Sequence, residues 1–255
     1  MNVALNESAQ AALEQDENQL RDSLYIMASM GRYNQWLYSN ISRYLGERVL
    51  EVGSGTGNIT VFLREKAQVV SLEPDGASVG EARRRFADLP NIEIVQTTLE
   101  EYSRSQRNFA AFDTVVGINV LEHIEDDVEA LVCMRKHLTS GGLVVIIVPA
   151  LPDLFGSLDR AFGHYRRYHR RSLNERFQKA GLTVVKSFYM NLAGAAGWFW
   201  HSRILQHEQI DIKTSRKFDK MVPFLKKMES VVKPPVGQSL IMVGKKEEKA
   251  LGSRQ

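Results

Sequence analysis

Residues 49–60 read Val49-Leu50-Glu51-Val52-Gly53-Ser54-Gly55-Thr56-Gly57-Asn58-Ile59-Thr60, and no other stretch restricts the fold as tightly. A β-branched apolar run enters a turn with glycine at every second position, and a helical pattern over Val61, Phe62 and Leu63 leaves it. Alternate glycines let the chain reverse sharply from strand to helix and let backbone N–H groups come close to a ligand. The spacing is G-x-G-x-G, which lacks the last glycine of the dinucleotide fingerprint G-x-G-x-x-G. No Gly-Lys-Ser/Thr follows, so a P-loop is excluded. Glu51 stands just before the turn, where a carboxylate can meet a ligand ammonium directly or through water.

Gln68-Val69-Val70-Ser71-Leu72-Glu73 reads as a second short buried strand ending in an acid. It lies about 20 residues beyond the first, where an acid in a doubly wound sheet accepts hydrogen bonds from a ribose diol. Together, E-V-G-S-G-T-G and L-E-P-D resemble the S-adenosylmethionine-dependent methyltransferases of the Rossmann-like class. The segment Asn119-Val120-Leu121-Glu122-His123-Ile124 is similar to its counterpart in ubiquinone-biosynthesis-type O-methyltransferases and bacterial small-molecule methyltransferases. The likeness is specific from about Arg32 to Val148 and looser beyond. It implies an α/β fold, a seven-stranded Rossmann-like sheet with its last strand antiparallel, flanked by helices. N-terminal helices and a helical substrate cap, inserted before the last strand, would complete it. The implied cofactor is S-adenosyl-L-methionine, with S-adenosyl-L-homocysteine as product.

The same resemblance distributes the cofactor contacts. Gly53, Ser54, Gly55, Gly57 and Asn58 form the turn, with Glu51 before it and Glu73 and Pro74 at the second strand's end. Asn119, Val120 and Leu121 follow the fourth strand, at the carboxyl edge where open parallel sheets hold ligands. Related enzymes often place an acid after the third strand to accept from the adenine amino group; here Thr98 stands there, so its hydroxyl or the Leu99 N–H would serve instead. Arg32 and Tyr33 open an aromatic-rich lead-in that commonly covers the methionine end of the cofactor. Trp36 and Tyr38 read as sheet packing, and Tyr33 fits either role.

Three units follow: residues 1–46 as an N-terminal helical lid, 47–190 with 236–246 as the cofactor-binding core, and 150–171 with 191–235 as a substrate-side loop and helical insertion. A chain of 255 residues suits one sizeable domain with a small cap. A net charge of +3 provides no global basic field for nucleic acid. The single cysteine, Cys133, falls in a helical apolar pattern and reads as a core residue. With no basic-then-apolar leader and no apolar run of about 18 residues, a cytoplasmic protein is expected, monomeric or homodimeric. Residues 7–30 and 33–45 show helical patterns, a later helix is read to run to about Leu138 with Gly141-Gly142 ending it, and the ends, 1–9 and 246–255, look frayed.

Specificity is expected in the insertions, since long loops in compact domains commonly carry binding residues. Trp198, in a run of small and aromatic residues, suits an apolar acceptor pocket or plain helix packing. Lys213, Arg216, Lys217, Lys220, Lys226 and Lys227 in the same insertion allow a peripheral membrane contact. The cluster His164-Tyr165-Arg166-Arg167-Tyr168-His169-Arg170-Arg171 allows three readings: a structural knot, an anionic-acceptor site using Tyr165 and Arg166, or an RNA contact. Its first five residues with Gly163 resemble a segment of bacterial small-molecule methyltransferases, which favours the first two.

Methyl transfer from a sulfonium is an in-line displacement, so alignment and water exclusion do most of the work. A hydroxyl acceptor would also use a base, and a histidine with an ordinary pKa of about 6.5 is suited to it. His123 and His164 are the candidates. Glu125, Asp126 and Asp127 read as helix-capping acids, so no metal is expected. The expected activity is methylation of a small molecule, most readily at a hydroxyl or carboxylate oxygen. The alternatives are an RNA or protein methyltransferase, or a non-catalytic cofactor-binding subunit. An N-P-P-Y-type base-methylating tetrapeptide is absent from the sequence.

Overall fold

The computed structural model describes residues 25–105, 108–207 and 211–247. Its strands are β1 (Arg48–Val52), β2 (Gln68–Glu73), β3 (Ile92–Gln96), β4 (Phe112–Ile118), β5 (Leu138–Pro149), β6 (Thr183–Met190) and β7 (Ser239–Lys245). They form one seven-stranded sheet in the order β3-β2-β1-β4-β5-β7-β6. β7 alone runs antiparallel, paired with β5 on one side and β6 on the other. The switch in strand order lies between β1 and β4, and the crevice at such a point is where ligands enter this kind of sheet.

The core follows from strand alternation. Along β5, Val145 and Ile147 face one layer with Val49, Val69 and Val116, while Val144, Ile146 and Val148 face the other with Leu50, Val70 and Val115. All the β5 residues named are essentially inaccessible, as a central strand covered on both faces requires. Each such side chain contributes about 1.5–3 kcal/mol on burial. Helices α1 (Gly31–Ile41), α2 (Gly76–Arg85), α3 (Leu99–Arg104), α4 (Asp127–His137), α5 (Ser157–Ala161), α6 (Arg170–Lys179), α7 (Leu192–Trp198) and α8 (Ile212–Val231) supply much of the covering. Trp36 and Leu37 of α1 are buried in the layer over β1, the packing role read for Trp36. Cys133 is buried in the α4 core, as expected.

Several boundaries differ from the sequence reading. The helix expected after the glycine turn is a single 3₁₀ turn, Thr60–Phe62. Thr60 is drawn back to Glu51 by a hydrogen bond, and three successive β-branched residues, Ile59, Thr60 and Val61, are poor at propagating a helix. Gly141 and Gly142 do not end a helix. They sit inside β5, where the pairing with β4 shifts register between Phe112 and Thr114. The second N-terminal helix ends at Ile41 and passes into a 3₁₀ turn, Ser42–Tyr44. Of the helix expected over residues 7–30, residues 25–29 are helical, and residues 1–24 lie outside the described residues, as do most of the ends read as frayed.

The insertion between β6 and β7 carries α7, a π-helical turn Phe199–Ile204, and α8 with Pro223 inside it. Glu229 of α8 accepts the N–H groups of Asn191 and Leu192 at 2.9 and 2.8 Å. Asp219 accepts the Tyr33 N–H at 2.9 Å, so α8 is tied to α1. The outer face of α8 exposes Met221, Phe224, Met228 and Val231 beside Lys217, Lys220 and Lys227. Among the described residues, no helix is long and apolar enough to cross a membrane.

Candidate active site

A cavity of about 970 Å³ opens above the carboxyl ends of β1, β2 and β4. The register pairs Val52 with both Leu72 and Gly117, so the turns after these three strands emerge together. Gly53 and Ser54 both donate to the Leu72 carbonyl, at 2.8 and 3.1 Å, which fixes the glycine turn to β2. Gly53 takes φ +70°, and a Cβ there would stand 2.4 Å from Val120 Cγ2. Gly57 takes φ +86° and would meet Phe86 at 2.3 Å. Only glycine meets both the backbone angle and the space. The Cβ position of Gly55 has nothing within 4 Å, which leaves its backbone open to the cavity.

Two acids sit in this half. Glu73 Oε2 accepts the Gly55 N–H at 2.8 Å and Oε1 accepts the Asp75 N–H at 3.0 Å, leaving lone pairs on both oxygens for further donors. Burial pushes its carboxyl above the ordinary range against the pull of those N–H groups. Glu51 Oε2 accepts from Thr60 Oγ1 at 2.6 Å and Ser71 Oγ at 2.7 Å, and burial likewise raises its carboxyl. The buried Ser54 hydroxyl lines the cavity without a partner. Asn119 reaches the cavity from a left-handed backbone, φ +53°, with its N–H on the Ile147 carbonyl at 2.8 Å.

The other half is built around Asp159, which has no exposed surface. It accepts four donors: Gly156 N–H at 3.0 Å, His164 Nδ1 at 3.0 Å, Arg167 Nε at 2.6 Å and Trp198 Nε1 at 3.1 Å. Burial acts to raise its carboxyl, but the bonds from His164 and Arg167 outweigh it and hold Asp159 below the usual range. An ionised carboxylate only accepts, so His164 turns an N–H at Nδ1 toward it, which leaves Nε2 for other partners. The His164 ring packs edge-on against His123, centroids 4.7 Å apart. Burial among protein groups, with His164 adjacent, lowers His123 to about 4, although its ring reaches solvent through the open cavity. Glu122 has no exposed surface and neither carboxylate oxygen has a hydrogen-bond partner; burial raises it to about 8.

A family model described as a methyltransferase domain matches residues 29–187, well over half of the chain. The chain belongs to that methyltransferase family. It is 27% identical over 157 residues to a Mycolicibacterium smegmatis protein named "Probable S-adenosylmethionine-dependent methyltransferase", covering 60% of this chain and 59% of that one. It is also 27% identical over 143 residues to the ubiquinone/menaquinone biosynthesis C-methyltransferase UbiE of Coxiella burnetii, covering 52% and 56%. The chain thus spans less than two thirds of these relatives' length. The solved structure of geranyl diphosphate methyltransferase with SAM shares the fold, with TM-score 0.59, 12% identity and 85% of each chain covered.

The methyltransferase cavity gathers most of the residues singled out in the sequence. Tyr33, Glu51, Gly53, Ser54, Gly55, Asn58, Glu73, Pro74, Thr98, Leu99, Asn119, Val120, His123, His164 and Trp198 all line it. Thr98 does so while capping α3: its hydroxyl accepts the Glu101 N–H at 3.2 Å, and Glu101 accepts the Thr98 N–H at 3.1 Å. Five residues do not line the cavity. Arg32 points to solvent, because its neighbour Tyr33 occupies the inward face of α1 against Trp36 and Phe218. Gly57 is held against Phe86 instead. Leu121 turns into the core, since the 3₁₀ turn Leu121–His123 sends its neighbours Glu122 and His123 to the cavity.

Tyr165 is 55% exposed, and Arg166 pairs with Asp127 at 2.9 Å and donates to the Glu125 carbonyl at 2.8 Å. Arg167 faces the cavity in their place. Tyr168 is buried, with its hydroxyl on the Leu121 carbonyl at 3.3 Å and on Asp127 at 3.0 Å. The cluster is therefore largely a structural knot that delivers His164 and Arg167. Asp126 caps α4 through the Glu129 N–H at 2.9 Å, and Asp127 serves Arg166, Tyr168 and Arg176. Glu122, Arg167 and Asp159 were not singled out. A sequence signal existed only for Glu122, an acid next to a predicted cavity histidine at a strand's carboxyl end.

Proposed function

We propose that this methyltransferase holds S-adenosyl-L-methionine in the half of the cavity built by the glycine turn and transfers its methyl group to an oxygen of a small-molecule acceptor in the other half. The observation that carries the reading is Glu73, which bridges the Gly55 and Asp75 N–H groups at the tip of β2 and keeps lone pairs facing the cavity. The open Gly55 backbone, the unpartnered Ser54 hydroxyl and Glu51 fit a ligand offering a diol, a carboxylate and an ammonium. Bound there, the cofactor supplies an electrophilic methyl group on a sulfonium.

The chain's own part is alignment, exclusion of water and proton handling. Trp198, Phe162 and Pro149 wall the acceptor half. His164, fixed by Asp159, presents Nε2 as the group that takes a hydroxyl proton. UbiE is named as a C-methyltransferase, so a carbon acceptor is the second reading, and mass spectrometry with NMR of the methylated product separates the two.

The exposed apolar row Met221, Phe224, Met228 and Val231, flanked by lysines, supports contact with an anionic lipid surface: the row would enter the interface and the ammonium groups would meet the headgroups.

Calorimetric titration of S-adenosylmethionine into wild type and Glu73→Ala tests the central claim. Loss of two charge-assisted hydrogen bonds to the diol should weaken binding by about 10–100-fold or more. Equal affinity in both proteins would overturn the Glu73 assignment, and no binding to wild type would overturn the cofactor.

A further inference from the structure

We propose that Glu122, His123 and His164 form a binding site for a divalent transition-metal ion at the acceptor end of the cavity. One ligand atom from each of the three lies within 4.8 Å of the others. Around a single ion with bonds of about 2.0–2.2 Å, such atoms stand roughly 3–3.5 Å apart, so small side-chain rotations suffice. Two imidazoles and a carboxylate match sites for zinc and neighbouring first-row ions, and they leave further coordination positions for acceptor oxygens.

Three further observations point to a ligand here. Glu122 has no exposed surface, yet both its oxygens lack any hydrogen-bond partner. A carboxylate taken out of water and left unpartnered is costly, and a cation between it and the histidines removes that cost. His164 donates Nδ1 to Asp159 at 3.0 Å, the carboxylate–histidine arrangement that orients a metal-binding imidazole and raises its basicity. Arg167 contributes one positive charge beside the cluster, but it is held by Asp159 at 2.6 Å. Asp159 balances that charge, so the guanidinium does not repel a cation that displaces the Glu122 proton and binds its carboxylate. With the ion bound, His164 Nε2 would be a ligand and no longer the base; the ion would hold an acceptor oxygen in place and ease loss of its proton to water. The binding itself does not depend on the cofactor reading, although that role does.

The test uses the full chain without a histidine tag. Cobalt(II) is titrated and followed by its visible absorption, zinc(II) is titrated by calorimetry, and S-adenosylmethionine is titrated into the same preparations. One ion per chain is expected, with affinity reduced about tenfold or more in His164→Ala, His123→Ala and Glu122→Gln. His201→Ala, which disrupts the separate His201–His207 pair with ring nitrogens 3.2 Å apart, should leave it unchanged. Absence of metal uptake, or uptake lost only in His201→Ala, would overturn the proposal. Intact cofactor binding in those samples shows that the fold and the cofactor site survive, and metal uptake without cofactor binding would instead count against the cofactor reading alone.

Discussion

His164 Nδ1 lies 3.0 Å from Asp159 Oδ1, and the carboxylate that receives it is sealed from solvent. The same two oxygens bind a backbone N–H, a guanidinium and an indole. Asp159→Asn places an amide NH2 against donors and leaves Arg167 without its buried counter-charge. The expected loss is about 3–5 kcal/mol of stability, measured by urea unfolding. A variant within about 1 kcal/mol of wild type would refute the view that Asp159 organises this end.

Gly53→Ala should reduce both stability and S-adenosylmethionine affinity. The new methyl would stand 2.4 Å from Val120 Cγ2 on a backbone at φ +70°. About 1–3 kcal/mol of destabilisation is expected from the two effects together. Adding Val120→Ala removes the contact but not the backbone strain, so thermal melts of the double variant should show partial recovery. Full recovery would assign the whole cost to packing.

Acidification should act on Glu51 and Glu73 in two opposite ways. Burial raises both carboxyls above their ordinary range, so the folded chain binds their protons more tightly than the unfolded chain does. Their contribution to stability is therefore fully present below the unfolded pKa and is lost as pH rises through the raised values. Cofactor binding runs the other way, because an ammonium and a diol favour the ionised carboxylates. Affinity should fall as pH drops through those raised values, with protons released on binding. Calorimetry in buffers of different ionisation heat measures that release, and zero release would rule out the coupling.

Vesicles containing anionic phospholipid should sediment the protein, and neutral vesicles should do so much less. Exchanging Phe224 and Met228 for serine removes the centre of the exposed α8 row and should abolish the difference. Equal sedimentation of wild type and variant would exclude α8 as the contact.

How far the sequence reveals this molecule depends on which end of the cavity is considered. At the glycine turn, backbone requirements are written locally: positions 53 and 57 need glycine for φ and for space, and an acid ends β2. The carboxyl edge of a parallel sheet then brings these turns together. At the end built around Asp159, neighbours in sequence part company. Arg166 goes to Asp127 while Arg167 goes to Asp159, and Leu121 turns inward while Glu122 turns to the cavity. Which of two adjacent residues faces inward in an irregular loop is decided by tertiary packing, here by the buried Tyr168 beneath the loop, and no periodicity records it. Asp159 has no motif of its own, because its partners come from as far away as Trp198. The glycine pair at 141–142 misled for a related reason, since a helix stop and a strand irregularity use the same residue.

Trp198 reaches Asp159 from a segment inserted between the last two strands, whereas Gly53, Glu73 and Asn119 belong to the strand tips themselves. The wall that Trp198 adds to one end of the cavity therefore comes from a different stretch of chain than the glycine turn at the other. Changes confined to residues 191–237 can reshape what enters at one end without disturbing the turn that serves the other. A protein built this way can acquire a new acceptor by divergence of an insertion alone, and exchange of that insertion between relatives is the corresponding route for engineering one.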